Sequence, residues 1–147
     1  MNNINRIQGE IHSDDRGIIL SFNNFTFEKI VRSYTLIHRE TNTKRGWNAH
    51  KFESKWFHCI KGSFFLVFIA IDNWEDPSDN LVPQVFYVSE KINELIHLPP
   101  GYASCIKAEN EDSVLTVYSD KTFHESLNDS WKYSFSWFNW NNLEKYK

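Results

Sequence analysis

The stretch Arg45-Gly46-Trp47-Asn48-Ala49-His50, followed by Lys55, concentrates side chains that could do chemistry. His50 carries an imidazole that titrates near neutrality, so it is a natural general base. In an extended chain Asn48 and His50, two residues apart, point to one face. If that face lines an interior, His50 can take a proton there; otherwise it is a hydrogen-bonded core histidine. Lys55 can hold a substrate oxygen or an enolate, or lie at a rim with its stem along apolar surface. Arg16 and Arg45 carry guanidinium forks that match phosphate oxygens, and equally suit surface turns. Tyr34 and Tyr118 can touch a ligand or pack in a core. His12, His38, His58, His97 and His124 belong to no motif and read as structural. No glycine-rich phosphate loop, Ser/His/Asp order or carboxylate pair stands out. Cys59 and Cys105 show neither a CxxC pattern nor zinc-like spacing, and read as reduced, buried thiols.

Short strands must position these residues. Strand signals run over 18–22, 30–37, 55–60, 63–71, 85–88, 94–98, 102–107 and 114–118, with a short extended piece at 47–50. Turns are read at Asp14-Asp15-Arg16-Gly17, across the polar run 40–46, at Lys61-Gly62, at Pro99-Pro100-Gly101 and at Asn110-Glu111-Asp112. The segment 72–83 reads as an excursion loop. Residues 63–71 are apolar on both alternations, which predicts a strand covered on both faces. Strands at this spacing predict an all-β sandwich, barrel or jelly roll. The tail from Trp131 to Phe138 alternates large aromatics with polar residues, and 141–147 suggests a last helical turn. We expect this tail, residues 131–147, to pack on the barrel or at a dimer interface.

Composition agrees with a β fold: 12 Phe, 6 Tyr and 6 Trp make aromatics 16% of 147 residues, with a single Met. That length suits one domain spanning 1–147 with a core that needs no disulfide or metal. A net charge of −3 argues against a basic nucleic-acid or polybasic membrane binder. Met1 to Arg6 has no apolar core of a signal peptide, and the longest apolar run, 64–71, is too short to span a bilayer. The expectation is a cytoplasmic protein, and a homodimer, because one small barrel cannot easily cover strand 63–71 and the aromatic tail.

The spacing Asn48-x-His50, Lys55, Gly62, followed by Pro99-Pro100-Gly101-Tyr102-Ala103-Ser104, resembles the two motifs of the cupins. Three positions where metal-binding cupins place ligands hold Asn48, Lys55 and Ser104. A lysine ammonium repels a divalent cation and one imidazole is too few ligands, so the expectation is no metal. The Arg45-Gly46 start, with Asp15-Arg16-Gly17, Arg32-Ser33-Tyr34 and Tyr118-Ser119-Asp120 in the same order, resembles the sugar-nucleotide cupins. These are the dTDP-4-dehydrorhamnose 3,5-epimerases and the WxcM-like dTDP-4-keto-6-deoxyglucose 3,4-ketoisomerases. The likeness covers roughly residues 10 to 135 and implies a cupin (double-stranded β-helix, jelly-roll) barrel.

The resemblance implies a metal-independent isomerase of a dTDP-linked 4-keto-6-deoxy sugar, whose chemistry needs no cofactor. His50 would be the base, Lys55 and Asn48 would hold the enolate oxygen, and Tyr118 would be an acid. Arg16, Tyr34, Arg45, Asn48 and Ser104 would bind substrate around one pocket, with Arg16 and Arg45 on its pyrophosphate. The alternative is a degenerate cupin that binds a nucleotide sugar without turnover. The family's epimerases pair a histidine with an aspartate; those positions hold Asn48 and Ala70, and their acid tyrosine falls near Thr116. His50 is therefore expected to lack a carboxylate partner, and Lys55 is expected to lower its pKa.

Overall fold

The computed structural model describes residues 2–147; Met1, where the N-terminal reading above begins, lies outside them. In chain order the elements are β1 (Asn5–Gln8), β2 (Glu10–Asp14), β3 (Gly17–Ser21), β4 (Arg32–His38), β5 (Lys44–His50) and β6 (Lys55–Lys61). Then come β7 (Ser63–Ala70), β8 (Pro83–Ser89), β9 (Glu94–Leu98), β10 (Tyr102–Ala108), β11 (Ser113–Ser119), α1 (Phe123–Asn128), β12 (Trp131–Lys132) and a 3-10 turn (Glu144–Tyr146). Ten strands form two antiparallel five-stranded sheets, ordered β1-β9-β6-β11-β4 and β12-β5-β10-β7-β8. β2 and β3 form a separate two-stranded arm.

Alternation along the strands builds two apolar layers. The inner faces enclose Phe57, Phe64, Leu66, Phe68, Ile96, Leu115 and Val117. The opposite face of the second sheet carries Trp47, Ala49, Phe65, Val67, Ile69 and Cys105, packed against Phe138 and Leu143 of the tail. β7 thus buries both faces, one in the barrel and one under residues of its own chain. Trp47 fixes that cover by donating its indole N–H to the Phe135 carbonyl at 3.2 Å. The tail, with Trp74 and Leu81 of the 72–83 segment, covers the outer face of β7 from which a dimer was expected, so that ground for a dimer falls.

Three local readings need correction. β5 starts at Lys44, inside the run read as a turn, because Lys44 and Arg45 pair with Lys107 and Ile106 of β10 and the tail packs on Trp47 beyond them. Gly46 permits this close approach: at φ +148 its missing Cβ would strike the Ser104 carbonyl. β1 and β2 lie where no strand was read, and α1 follows a Thr122–Glu125 capping box whose pattern passed unread. Both cysteines are buried and unpaired; burial pushes the Cys59 thiol up to about 12 and that of Cys105 to about 11, so neither is a nucleophile. No helix of the described residues is long and apolar enough to cross a membrane.

Candidate active site

His50 ends β5 at one mouth of the barrel. Trp47 and Ala49 belong to the layer beneath the tail, so Asn48 and His50 face the interior. Two remote segments fix that strand end. Gly101, at φ +98 in the Pro-Pro-Gly turn, donates its N–H to the His50 carbonyl at 2.8 Å. The Asp129 carboxylate accepts the backbone N–H groups of Lys51, Phe52 and Glu53 at 2.8, 2.8 and 3.1 Å. Asp120 takes the N–H of Ser54 at 2.8 Å. Two carboxylates flanking α1 thus hold the loop that joins β5 to β6.

The ring of His50 has a partner on each nitrogen. Its Nδ1–H donates to the Asp129 carbonyl at 2.6 Å, since a carbonyl can only accept. That assignment leaves Nε2 with the lone pair, and Lys55 Nζ donates to it at 3.0 Å. Beside Nδ1, 3.0 Å away, stands Glu53 Oε2, on a side chain with no exposed surface. The Glu53 carboxylate also accepts from Arg32 Nη2 at 3.0 Å, Ser119 Oγ at 2.6 Å and Ser126 Oγ at 2.8 Å. The ring of Tyr34 lies under both cations, 5.1 Å from Arg32 Cζ and 5.9 Å from Lys55 Nζ.

These contacts set the charges. Burial, then the Lys55 ammonium, holds the His50 pKa below its ordinary value, against the pull of Glu53 and Asp129. Burial pushes the Glu53 carboxyl up, but Lys55, Ser119, His50 and Ser126 outweigh it and bring it below the ordinary range. Near pH 7 the arrangement is a neutral imidazole between an anion and a cation. It suits abstraction of a proton beside a carbonyl, with the ammonium next to the carbonyl oxygen.

His50, Lys55 and Tyr34 come together. Asn48 and Ser104 share the same interior face one pleat further along, directly paired across β5 and β10. The other three expected residues stand elsewhere. Tyr118 alternates with Val117 and Ser119, which point inward, so it lies on the outer face of its sheet, edge-on to Phe27 at 5.7 Å. Arg45 is five residues from His50, about 16 Å along the strand; there its Nε donates to His38 Nε2 at 3.0 Å. Arg16 sits at the tip of the arm, its side chain 81% exposed and paired with Asp14. Glu53, the carboxylate partner that the sequence reading denied His50, was missed. Its only signal is a spacing of three residues across a loop, which belongs to no motif. Among the described residues no group of three or more His, Cys, Asp or Glu side chains is placed to hold a metal ion.

Two facing antiparallel sheets with a polar cluster at one mouth define a cupin-type barrel. The chain belongs to the sugar-nucleotide cupins: residues 2–135 match the family described as FdtA: WxcM-like, C-terminal. No curated protein matches it. Among solved structures it is similar to a 3,4-ketoisomerase from Helicobacter canadensis, with 16% identity over 87% of this chain and 89% of that one, at a TM-score of 0.68. A His-to-Asn mutant of the 3,4-ketoisomerase QdtA from Thermoanaerobacterium thermosaccharolyticum, in complex with TDP-4-keto-6-deoxyglucose, shares 18% identity over 88% and 87%, at 0.69. The dTDP-4-dehydrorhamnose 3,5-epimerase from Bacillus anthracis, with TDP and PPi bound, shares 16% identity over 97% and 82%, at 0.71. At these identities the likeness establishes the fold.

Proposed function

We propose that this protein is a metal-independent isomerase of a dTDP-linked 4-keto-6-deoxy sugar, working as an epimerase or 3,4-ketoisomerase. The observation that carries the reading is Lys55 Nζ 3.0 Å from His50 Nε2, a cation beside a base in a buried site. A sugar ketone entering between them would draw the ammonium to its oxygen and free the imidazole lone pair. Nε2 then takes the proton from the carbon beside the ketone and Lys55 holds the enolate oxygen. In a 3,4-shift Nε2 returns that proton to the former carbonyl carbon while the adjacent hydroxyl passes its own proton to the enolate oxygen; in an epimerisation water gives a proton to the opposite face and His50 releases its own to solvent. Asn48, Ser104 and Tyr34 line the same interior and would bind the sugar. Tyr118 has no part in this mechanism, given its outer-face position.

The test is incubation with TDP-4-keto-6-deoxyglucose in deuterium oxide. Exchange at the carbon beside the ketone, abolished by His50→Ala, is expected; full turnover surviving His50→Ala would remove the assignment. The second reading, a barrel that binds without turnover, is favoured by Asn48, whose amide cannot titrate. Saturable binding with no exchange would decide for it.

We further propose a homodimer formed through the arm. β2 and β3 pair with no other strand among the described residues, and Ile11, Ile18, Ile19 and Leu20 are exposed on them. A lone hairpin is marginally stable in water, and a second copy of the chain would cover these side chains. Light scattering should give twice the 17.5 kDa chain mass, and Ile18→Asp with Ile19→Asp should give a monomer. A wild-type monomer at micromolar concentration would remove this proposal.

A further inference from the structure

We propose that Glu53 is the positioning residue of His50, a buried carboxylate that stabilises the imidazolium formed when Nε2 accepts a proton. This rests on the reading of His50 as the base. The tautomer does not need Glu53, because the Asp129 carbonyl takes the Nδ1 proton at 2.6 Å. What Glu53 adds is charge, 3.0 Å from the nitrogen opposite the reacting one. Its own position is over-determined: Arg32 and Ser119 hold Oε1, and Ser126 holds Oε2. A fully buried carboxyl with no such donors would take up a proton and lose that charge. The charged groups around His50 are thus Lys55 on Nε2, Glu53 beside Nδ1 and the Asp129 carboxylate on the loop amides, with Arg32 behind Glu53.

A purely structural role is the competing explanation, since Glu53 also ties its loop to β4, β11 and α1. The two roles give opposite signs. Burial is the main cause that lowers the His50 pKa. If Glu53 only held the loop, Glu53→Gln would loosen the site, admit water and let that pKa rise toward its ordinary 6.5. If Glu53 acts by charge, removing the anion leaves burial and Lys55 unopposed, and the pKa falls further.

NMR titration of the His50 ring in the full chain separates them. Glu53→Gln should lower its pKa by about one unit, with the Nδ1–H tautomer kept in the nitrogen shifts. Glu53→Asp, which retains the charge but withdraws it by one methylene, should give a smaller fall and serves if the Gln variant fails to fold. With TDP-4-keto-6-deoxyglucose, Glu53→Gln should cut kcat roughly 10–100-fold with KM little changed. The acid limb of kcat/KM should move with the NMR value. A His50 pKa that rises or stays put in the folded variants overturns the proposal whether or not the protein turns over. A fallen pKa with an unmoved kcat/KM profile also overturns it. A fallen pKa in a protein without turnover supports the carboxylate–imidazole link and overturns only the isomerase reading.

Discussion

On the proposed reading His50 is the single imidazole at the site, where the resemblance implies a His–Asp dyad in the epimerases and two histidines in the ketoisomerases. Replacing Asn48 with His restores the second imidazole on the interior face, one pleat from His50. Asn48→His should raise deuterium exchange by roughly tenfold or more, measured at the carbon beside the ketone; an unchanged rate would mean that position 48 is not at the reacting carbon. Residue-scale legibility was uneven for a physical reason. That Asn48 and His50 share a face was readable because strand alternation fixes the face of a side chain; Ser104, Lys55 and Tyr34 were placed with them only through the resemblance. Tyr118 failed on the same rule, since Val117 and Ser119 take the inner face. Arg45 failed on distance along β5. Glu53 was invisible because a loop residue's direction depends on what clamps the loop, here Asp129 from 76 residues away.

At the scale of elements, three amides of the loop between β5 and β6 share one acceptor, the Asp129 carboxylate. Asp129→Ala would leave three backbone N–H groups without their acceptor and cost about 3 kcal/mol. A urea melt should show that loss, and Asp129→Asn, which keeps one acceptor oxygen, should lose less. The tail gives a second prediction. Deleting residues 136–147 would uncover Phe65, Val67 and Ile69, so the shortened chain should unfold at lower urea and bind hydrophobic dyes. The strands that were legible are rich in β-branched and aromatic residues between turn signals. β1 and β2 were not, because their side chains are mostly exposed and carry no apolar alternation. The helix α1 buries none of its residues, so it lacks the apolar stripe that betrays a helix.

The whole molecule should weaken on acidification in two stages. His38, His50, His58 and His97 all have pKa values lowered chiefly by burial from an ordinary 6.5. Each binds its proton more readily unfolded, so its contribution is present above 6.5 and fades as pH drops through the folded value. Glu53, lowered from 4.5, adds a loss below that value. The urea midpoint should therefore fall between pH 7.5 and 5 and fall again below pH 4.5; a flat profile over the upper range would contradict the burial of these rings.

The bond from His50 to Asp129 closes a loop of 79 residues. Nearly the whole barrel must be threaded before the ring has its acceptor, and such long closures make β proteins slow to fold. On the ribosome the His50 ring is made long before the carbonyl that orients it. Competence at this site is thus a late event in the life of the chain, and a nascent fragment ending before Asp129 carries the histidine but not its orientation.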